Sequence, residues 1–391
     1  KKEKVMSLPD NEYKIRIDKV KKLAQEKNLD FVFVYFDEYN VMNGRYLTGW
    51  CPTIERGAAI ISNYCEPFLI GGPEAQPYAQ MESSIKKTES SLVFMVPEEE
   101  YPGSEILDFS QISKKNFGGR KIKKIGLVGI QSLPLQIYNQ LAGELNGVEI
   151  VDVTKEFEIF RYVKSQWEIE MCTKAYKIAD AGFKKLKESI IEGKKEYEAA
   201  AEAEYIGRKM GAEGYGYRTI IGTAERSSGI VTPSSDRIFK NGEIVLAGFA
   251  PRFNGYNATA CYPVVVGGKP DKLQDKFTKD ICQALYLTKE AFKPGLTGKE
   301  IDLVPRKFLN SKGYEKYMIM PFVHSSGLCE FERPFFGPGS NDVIQENQVI
   351  CVDIALFGHD EIPGIRVETA YRITKTGSIT FSPYMEKLFG F

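Results

Sequence analysis

The sequence predicts two folds in one chain. An α/β domain occupies about the first 155 residues, and an α+β half follows, with long helices on one side of a mostly antiparallel sheet. Three observations predict this. Short apolar runs alternate with a helical segment up to residue 153; two long amphipathic stretches follow at 160–190 and 194–212; strand-like runs dominate from 217 onward. At 391 residues the chain is also too long for one average domain.

Taken in order, residues 11–28 read as an amphipathic helix, with Ile15, Ile17, Val20, Leu23 and Ala24 as its apolar stripe. The runs 31–36, 57–62, 67–72, 124–129 and 148–153 read as strands, with a helical segment at 131–144. The division falls at 156/157, giving domains 1–156 and 157–391. Ser165, with Glu168 three residues on, forms a capping box inside the 160–190 stretch. The second long helix, 194–212, ends near Gly211 or Gly214. Two more helices are expected near 271–292 and 298–312. Between them and the first pair, Asn254-Gly255 predicts a two-residue hairpin turn. Counting outward, Phe253 faces Tyr256, Ala250 faces Thr259 and Gly248 faces Cys261. Side-chain alternation puts Gly248, Ala250, Thr259 and Cys261 on one small, uncharged face.

Composition excludes several partners. Lys plus Arg and Asp plus Glu both number 52, which gives no reason to expect nucleic acid or an anionic membrane. No stretch approaches the ~18 apolar residues of a membrane span. The start, KKEKVMSLPD, lacks the apolar core of a signal peptide. Seven scattered cysteines without a CxxC pair point to reduced thiols and a cytoplasmic protein, each thiol by default a small buried hydrophobe.

Several stretches of the second half carry a family resemblance: RYVKSQWEIEMCTKA, GEIVLAGFAPRFNGYNATACYPVVVGGKP, HSSGLCEFERP, ENQVICVDIALFG and GIRVETAYRITKTG. In this order they cover most of 160–378 and resemble the creatinase, prolidase and methionine aminopeptidase superfamily. The resemblance implies an α+β pita-bread C-terminal domain preceded by a smaller α/β creatinase-type N-terminal domain, and a homodimer. Metallopeptidases of that superfamily hold two divalent metals with two aspartates, a histidine and two glutamates. The aspartate positions fall on Gly248 and Thr259, the histidine on His324, and the glutamates on Asp353 and Glu368. A second histidine position, seven past His324, is Phe331, and the histidine expected before the hairpin, near residues 229–237, is absent.

A two-metal site needs bridging carboxylates to offset the repulsion between two dications. The sequence therefore leads to an expectation of no cofactor, with a single divalent metal on His324, Asp353 and Glu368 as the alternative. His324 becomes the acid/base group, with Asp353 and Glu368 orienting it or holding a cationic substrate group. By resemblance to the creatinase loop that reaches a neighbouring subunit, Trp50, Ile54 and Arg56 are candidates for substrate binding, Arg56 for a carboxylate. Arg366 shares a strand face with Glu368, either as a second carboxylate anchor or as a structural partner of Glu368 or Asp353. Tyr256 lines the pocket or packs; Thr259, Cys261 and Phe331 complete it, with Cys261 weighed as nucleophile against packing. The 215–229 stretch, with Arg218, Glu225 and Arg226, is a candidate lip. His359, in a polar turn, is read as solvated.

The functional expectation is a metal-independent, creatinase-like hydrolase of a C–N bond in a small carboxylate-bearing amino-acid or guanidino compound. The alternatives are an Xaa-Pro peptidase with an altered single-metal site, and a non-catalytic binder of a peptide or metabolite. The partner in each case is a small molecule or short peptide.

Overall fold

The computed structural model describes residues 8–95 and 101–391; most of the basic start, residues 1–7, lies outside them. The chain divides into two compact units, Lys1–Arg161 and Tyr162–Phe391, against the 156/157 division read from sequence.

The first unit holds a six-stranded mixed sheet in the order Thr88–Ser90, Phe68–Gly71, Arg56–Ile61, Phe31–Asp37, Lys124–Val128, Glu149–Asp152. Phe31–Asp37 runs antiparallel to Arg56–Ile61 and parallel to Lys124–Val128. It is buried on both faces, so its sequence is a continuous apolar run rather than an alternation. Phe33, Phe94 and Phe109 pack beside it with centroids 6.2–6.4 Å apart. The helix Asp10–Glu26 buries Ile17, Val20, Leu23 and Ala24. Ile15 falls off the stripe and is exposed. Arg16 is buried in its place: its guanidinium lies 4.4 Å from the Tyr46 ring centre and donates to the Tyr46 carbonyl at 2.7 Å. A satisfied guanidinium over an aromatic face tolerates burial that an apolar count does not anticipate.

In the second unit the helix Gln166–Ser189 starts where the capping box starts it, not at residue 160. Ser165 Oγ accepts from the Glu168 amide at 3.2 Å, and Glu168 Oε2 accepts from the Ser165 amide at 2.9 Å. This helix and Glu196–Lys209 pack on Ile244–Phe249 through one ring. A Cβ on Gly182 would lie 2.1 Å from the Phe249 ring, and one on Gly207 3.0 Å from it. Glycine at both helix positions therefore makes the room that Phe249 fills.

The main sheet runs Glu332–Phe335, Val323–Ser325, Val349–Phe357, Gly364–Ile373, Ala260–Val265, Ile244–Phe249, Ile220–Thr223, with Ser378–Thr380 added beside Gly364–Ile373. The pairings just described are antiparallel where they meet the site. The hairpin turns at Asn254-Gly255, both at positive φ (48° and 86°), as a type I′ turn requires. Phe253 pairs with Tyr256 and Cys261 with Gly248, in the counted register. The ladder breaks between those pairs, around Ala250 and Ala258–Thr259, where the chain passes from the main sheet into a three-stranded one with Gly214–Tyr215.

Candidate active site

Four adjacent strands bring the pocket together. His324 is the cross-strand partner of Cys351; Asp353, two residues on, is the partner of Glu368; Glu368 on its other side is the partner of Cys261. Period-two alternation puts Cys351 and Asp353 on one face, so the register alone gathers His324, Cys351, Asp353, Glu368 and Cys261. All five are buried.

The cation at the centre is the chain's own. Arg366 Nε donates to Asp353 Oδ1 at 2.6 Å and Nη2 to Oδ2 at 2.7 Å, and Nη2 also lies 2.9 Å from Glu368 Oε2. Of its two readings, the structural partner of Asp353 and Glu368 is the one realised. Its Nη1 is buried without a hydrogen-bond partner. The two thiols divide Glu368 between them: Cys351 Sγ donates to Oε1 and Cys261 Sγ to Oε2, each at 3.1 Å. His324 Nδ1 lies 3.0 Å from the Ser325 carbonyl, an acceptor, so Nδ1 carries a proton and Nε2 faces Glu368 Oε1 at 3.7 Å.

Electrostatics follow from this crowding. Burial opposes ionisation of Glu368, but Arg366 and His324 hold it well below the usual carboxylate range. Burial pushes Asp353 up to about 6, against the pull of Arg366. Burial alone would lower His324; its hydrogen bond to Glu368 and the charges of Glu330, Glu368 and Asp353 outweigh that and raise it. Burial and then the Glu368 charge drive both Cys261 and Cys351 far above the ordinary thiol value. Cys261 is thus a packed thiol, not the nucleophile weighed from sequence: a reactive cysteine needs an electropositive, accessible place.

Glu330, within the HSSGLCEFERP stretch, was missed by the sequence reading. Part of its side chain reaches the surface, yet Oε1 is enclosed and unpartnered. Burial, then the Glu368 charge, push it up to about 8. Glu332 instead forms a buried ion pair with Lys164, 168 residues away, at 2.7 Å. Tyr217 was also missed, though the 215–229 stretch containing it was singled out. Its hydroxyl meets Thr259 Oγ1 at 3.0 Å and Cys261 Sγ at 3.4 Å. In that stretch Arg218 is exposed, and Arg226 pairs with Glu196.

Other expected residues fall elsewhere. Tyr256 is a packing residue: its hydroxyl donates to Glu168 Oε1 at 2.9 Å and its ring meets Trp167 edge-on. Phe331 is 45% exposed, with its ring centre 4.5 Å from that of His324, and it stacks on Phe335 at 4.7 Å, forming an aromatic rim. His359 is not simply solvated: its ring sits between Phe277 and Tyr317, and Nδ1 accepts from the amides of Glu361 and Ile362. In the first unit, Trp50 is core, packed edge-on to Phe36 and Tyr78. Ile54 is exposed at φ 68°, and Arg56 donates to the Met95 carbonyl at 3.3 Å.

The model of metallopeptidase family M24 matches residues 170–375, and that of the creatinase/prolidase N-terminal domain matches 16–163. The Xaa-Pro dipeptidase of Pyrococcus furiosus is 28% identical over 367 residues, covering 93% of this chain and 97% of its own length. That of Pyrococcus horikoshii is 30% identical over 325 residues, covering 82% and 91%. The solved prolidase of Pyrococcus horikoshii superposes with a TM-score of 0.81 at 27% identity, covering 94% of this chain and 98% of its own. The pita-bread fold and the creatinase-type N-terminal domain stand on these matches. The expectation of no cofactor is overturned, because the matching family is one of metallopeptidases. The metal-independent, creatinase-like reading gives way with it to the Xaa-Pro peptidase alternative, whose name the relatives carry. No helix among the described residues is long and apolar enough to cross a membrane.

The residues present do not fit a two-metal site. Gly248 and Thr259 offer no carboxylate, a Cβ on Gly248 would already lie 2.7 Å from Cys261 Sγ, and Arg366 occupies both oxygens of Asp353. They do fit one ion: donor atoms of His324, Cys351 and Glu368 all lie within 4.8 Å of one another.

Proposed function

We propose, on the premise that the chain belongs to metallopeptidase family M24, that it hydrolyses short peptides of the Xaa-Pro type with a single divalent cation held by His324, Cys351 and Glu368. The observation that carries the reading is the buried His324–Cys351–Glu368 donor set beside a guanidinium with one unpaired nitrogen. When bound, the cation polarises the scissile carbonyl or a water molecule as a Lewis acid.

The chain's own residues supply the rest. Arg366 is fixed by Asp353 and turns its unpaired Nη1 to an anionic oxygen, either the peptide's terminal carboxylate or the oxyanion that develops during attack. Glu330, which burial and then the Glu368 charge push up to about 8, holds a proton for the leaving nitrogen. The Phe331–Phe335 rim gives an apolar surface for a flat, uncharged ring such as that of proline. Asp353 is a positioning residue for Arg366 and not a metal ligand. Of the residues put forward from sequence, His324 and Glu368 keep a place at the reacting centre. Thr259 lines its uncharged side through the bond to Tyr217.

The test is a panel of dipeptides with proline, alanine or leucine second, offered to protein reloaded in turn with Zn²⁺, Co²⁺ and Mn²⁺, with products followed by mass spectrometry. Release of free proline, absent in His324→Ala, is expected. No proline release with any of the three cations would remove the peptidase reading and leave a binder of such peptides.

A further inference from the structure

The fate of the second cation can be read from the pocket itself. Where the resemblance implies two dications between five ligands, this chain has a guanidinium. Arg366 spans Asp353 in a two-pronged fork and touches Glu368 with the same nitrogen. On the opposite side the two aspartate positions are Gly248 and Thr259, and the volume beside Gly248 is taken by Cys261 Sγ. A second dication would face a fixed positive charge, with Asp353 already taken up by that charge and no carboxylate at Gly248 or Thr259 to offset it.

The remaining donor set is chemically different from an all-oxygen one. Cys351 lies directly across the strands from His324, and its Sγ points at Glu368 Oε1, the same oxygen that His324 Nε2 faces. His324 anchors its other nitrogen on the Ser325 carbonyl at 3.0 Å. An imidazole so tethered presents Nε2 in a fixed direction, the usual arrangement of a ligating histidine. Thiolate, imidazole and carboxylate together favour borderline-soft cations such as zinc or cobalt(II) over manganese or magnesium, which prefer oxygen.

We infer that the pocket binds one thiophilic divalent cation per chain through His324 Nε2, Cys351 Sγ and Glu368, and that the guanidinium of Arg366 stands permanently where a second cation would. As the sulfur–metal bond forms, the Cys351 thiol proton leaves to solvent, together with any proton that His324 Nε2 shares with Glu368. Cys261, on the other oxygen of Glu368, stays a thiol. The inference rests on the single-cation part of the proposed function and not on its substrate.

The experiment is a Co²⁺ titration of the metal-free full chain, read by elemental analysis and absorption. One Co²⁺ per chain is expected, with a sulfur-to-cobalt charge-transfer band in the near ultraviolet and proton release in weak buffer. Zn²⁺ should abolish the band by displacement, whereas Mn²⁺ at the same concentration should not. Cys351→Ser should lose the band while Cys261→Ser keeps it; circular dichroism establishes that both are folded, with Cys351→Ala as the second variant. Two ions per chain, a band that survives Cys351→Ser, or no bound Co²⁺ and Zn²⁺ would each overturn the inference. Proline release by a two-manganese form without the band would sink this inference and the single-cation part of the proposed function, and would leave the peptidase reading standing. The band without proline release would sink only the peptidase reading.

Discussion

The two walls of the pocket, one from the hairpin and one from the strands Val349–Phe357 and Gly364–Ile373, meet opposite electrostatic demands. The hairpin wall has Gly248, Thr259 and Cys261, and it is held by neutral contacts through the Tyr217 hydroxyl. The other wall keeps Asp353 and Glu368, both buried, and answers them with Arg366 from the same strand as Glu368. Buried carboxylates persist only when a positive charge or several hydrogen bonds offset their lost hydration. The hairpin wall has no carboxylate and needs no counter-charge; the other has two and carries its cation internally.

The sharpest way to break this comparison is Arg366→Met. It leaves two carboxylates buried without their fork, and a loss of ~3–5 kcal/mol in denaturant unfolding of the metal-free protein is expected. A loss no larger than that of a neutral hydrogen bond would show that the charged wall makes no special demand. Gly248→Ala tests the neutral wall by volume. Its Cβ would meet Cys261 Sγ at 2.7 Å and the Tyr217 hydroxyl at 3.2 Å, so a cost of ~1–3 kcal/mol is expected, measured the same way. Thr259→Val removes only the 3.0 Å bond to Tyr217 and should cost ~1 kcal/mol.

A pH-dependent effect comes from a carboxylate that has no cation among the described residues. Burial pushes Asp180 from 3.8 up to about 6, with only the Ser382 hydroxyl and the Tyr384 amide favouring its charge. Between about pH 4 and 6 the folded chain holds this proton more tightly than the unfolded one. Its contribution to stability is therefore fully present below about 4 and lost as pH rises through 6. Melting curves across that window should show a decline that Asp180→Asn flattens. A decline unchanged in the variant would assign it to other groups.

Legibility in the sequence tracked how local the cause was. The Ser165–Glu168 box and the Asn254-Gly255 turn are set within four residues, and both formed where the residues put them. The hairpin register followed from counting, and with it the placement of Gly248 against Cys261. The meeting of His324, Asp353 and Glu368 was legible only through a resemblance, since it depends on which strands pair and in what register, and no local turn signal sets that. What Arg366 would bind was left open, because Asp353 and a substrate carboxylate present the same fork to a guanidinium. Trp50 was read as a pocket residue and Tyr256 was left between pocket and packing for a related reason: an aromatic ring serves a core or a pocket equally well, and only its neighbours decide. Glu330 lay unremarked because nothing local marks an oxygen that a fold will enclose.

The Lys164–Glu332 pair has a consequence for the order of assembly. Its members are separated by 168 residues, both are buried, and each places an opposite charge against the other at 2.7 Å. The contact spans most of the second unit, so it forms only once residue 332 has been made, and the segment that carries Phe331 beside His324 is held by a link of very high sequence separation.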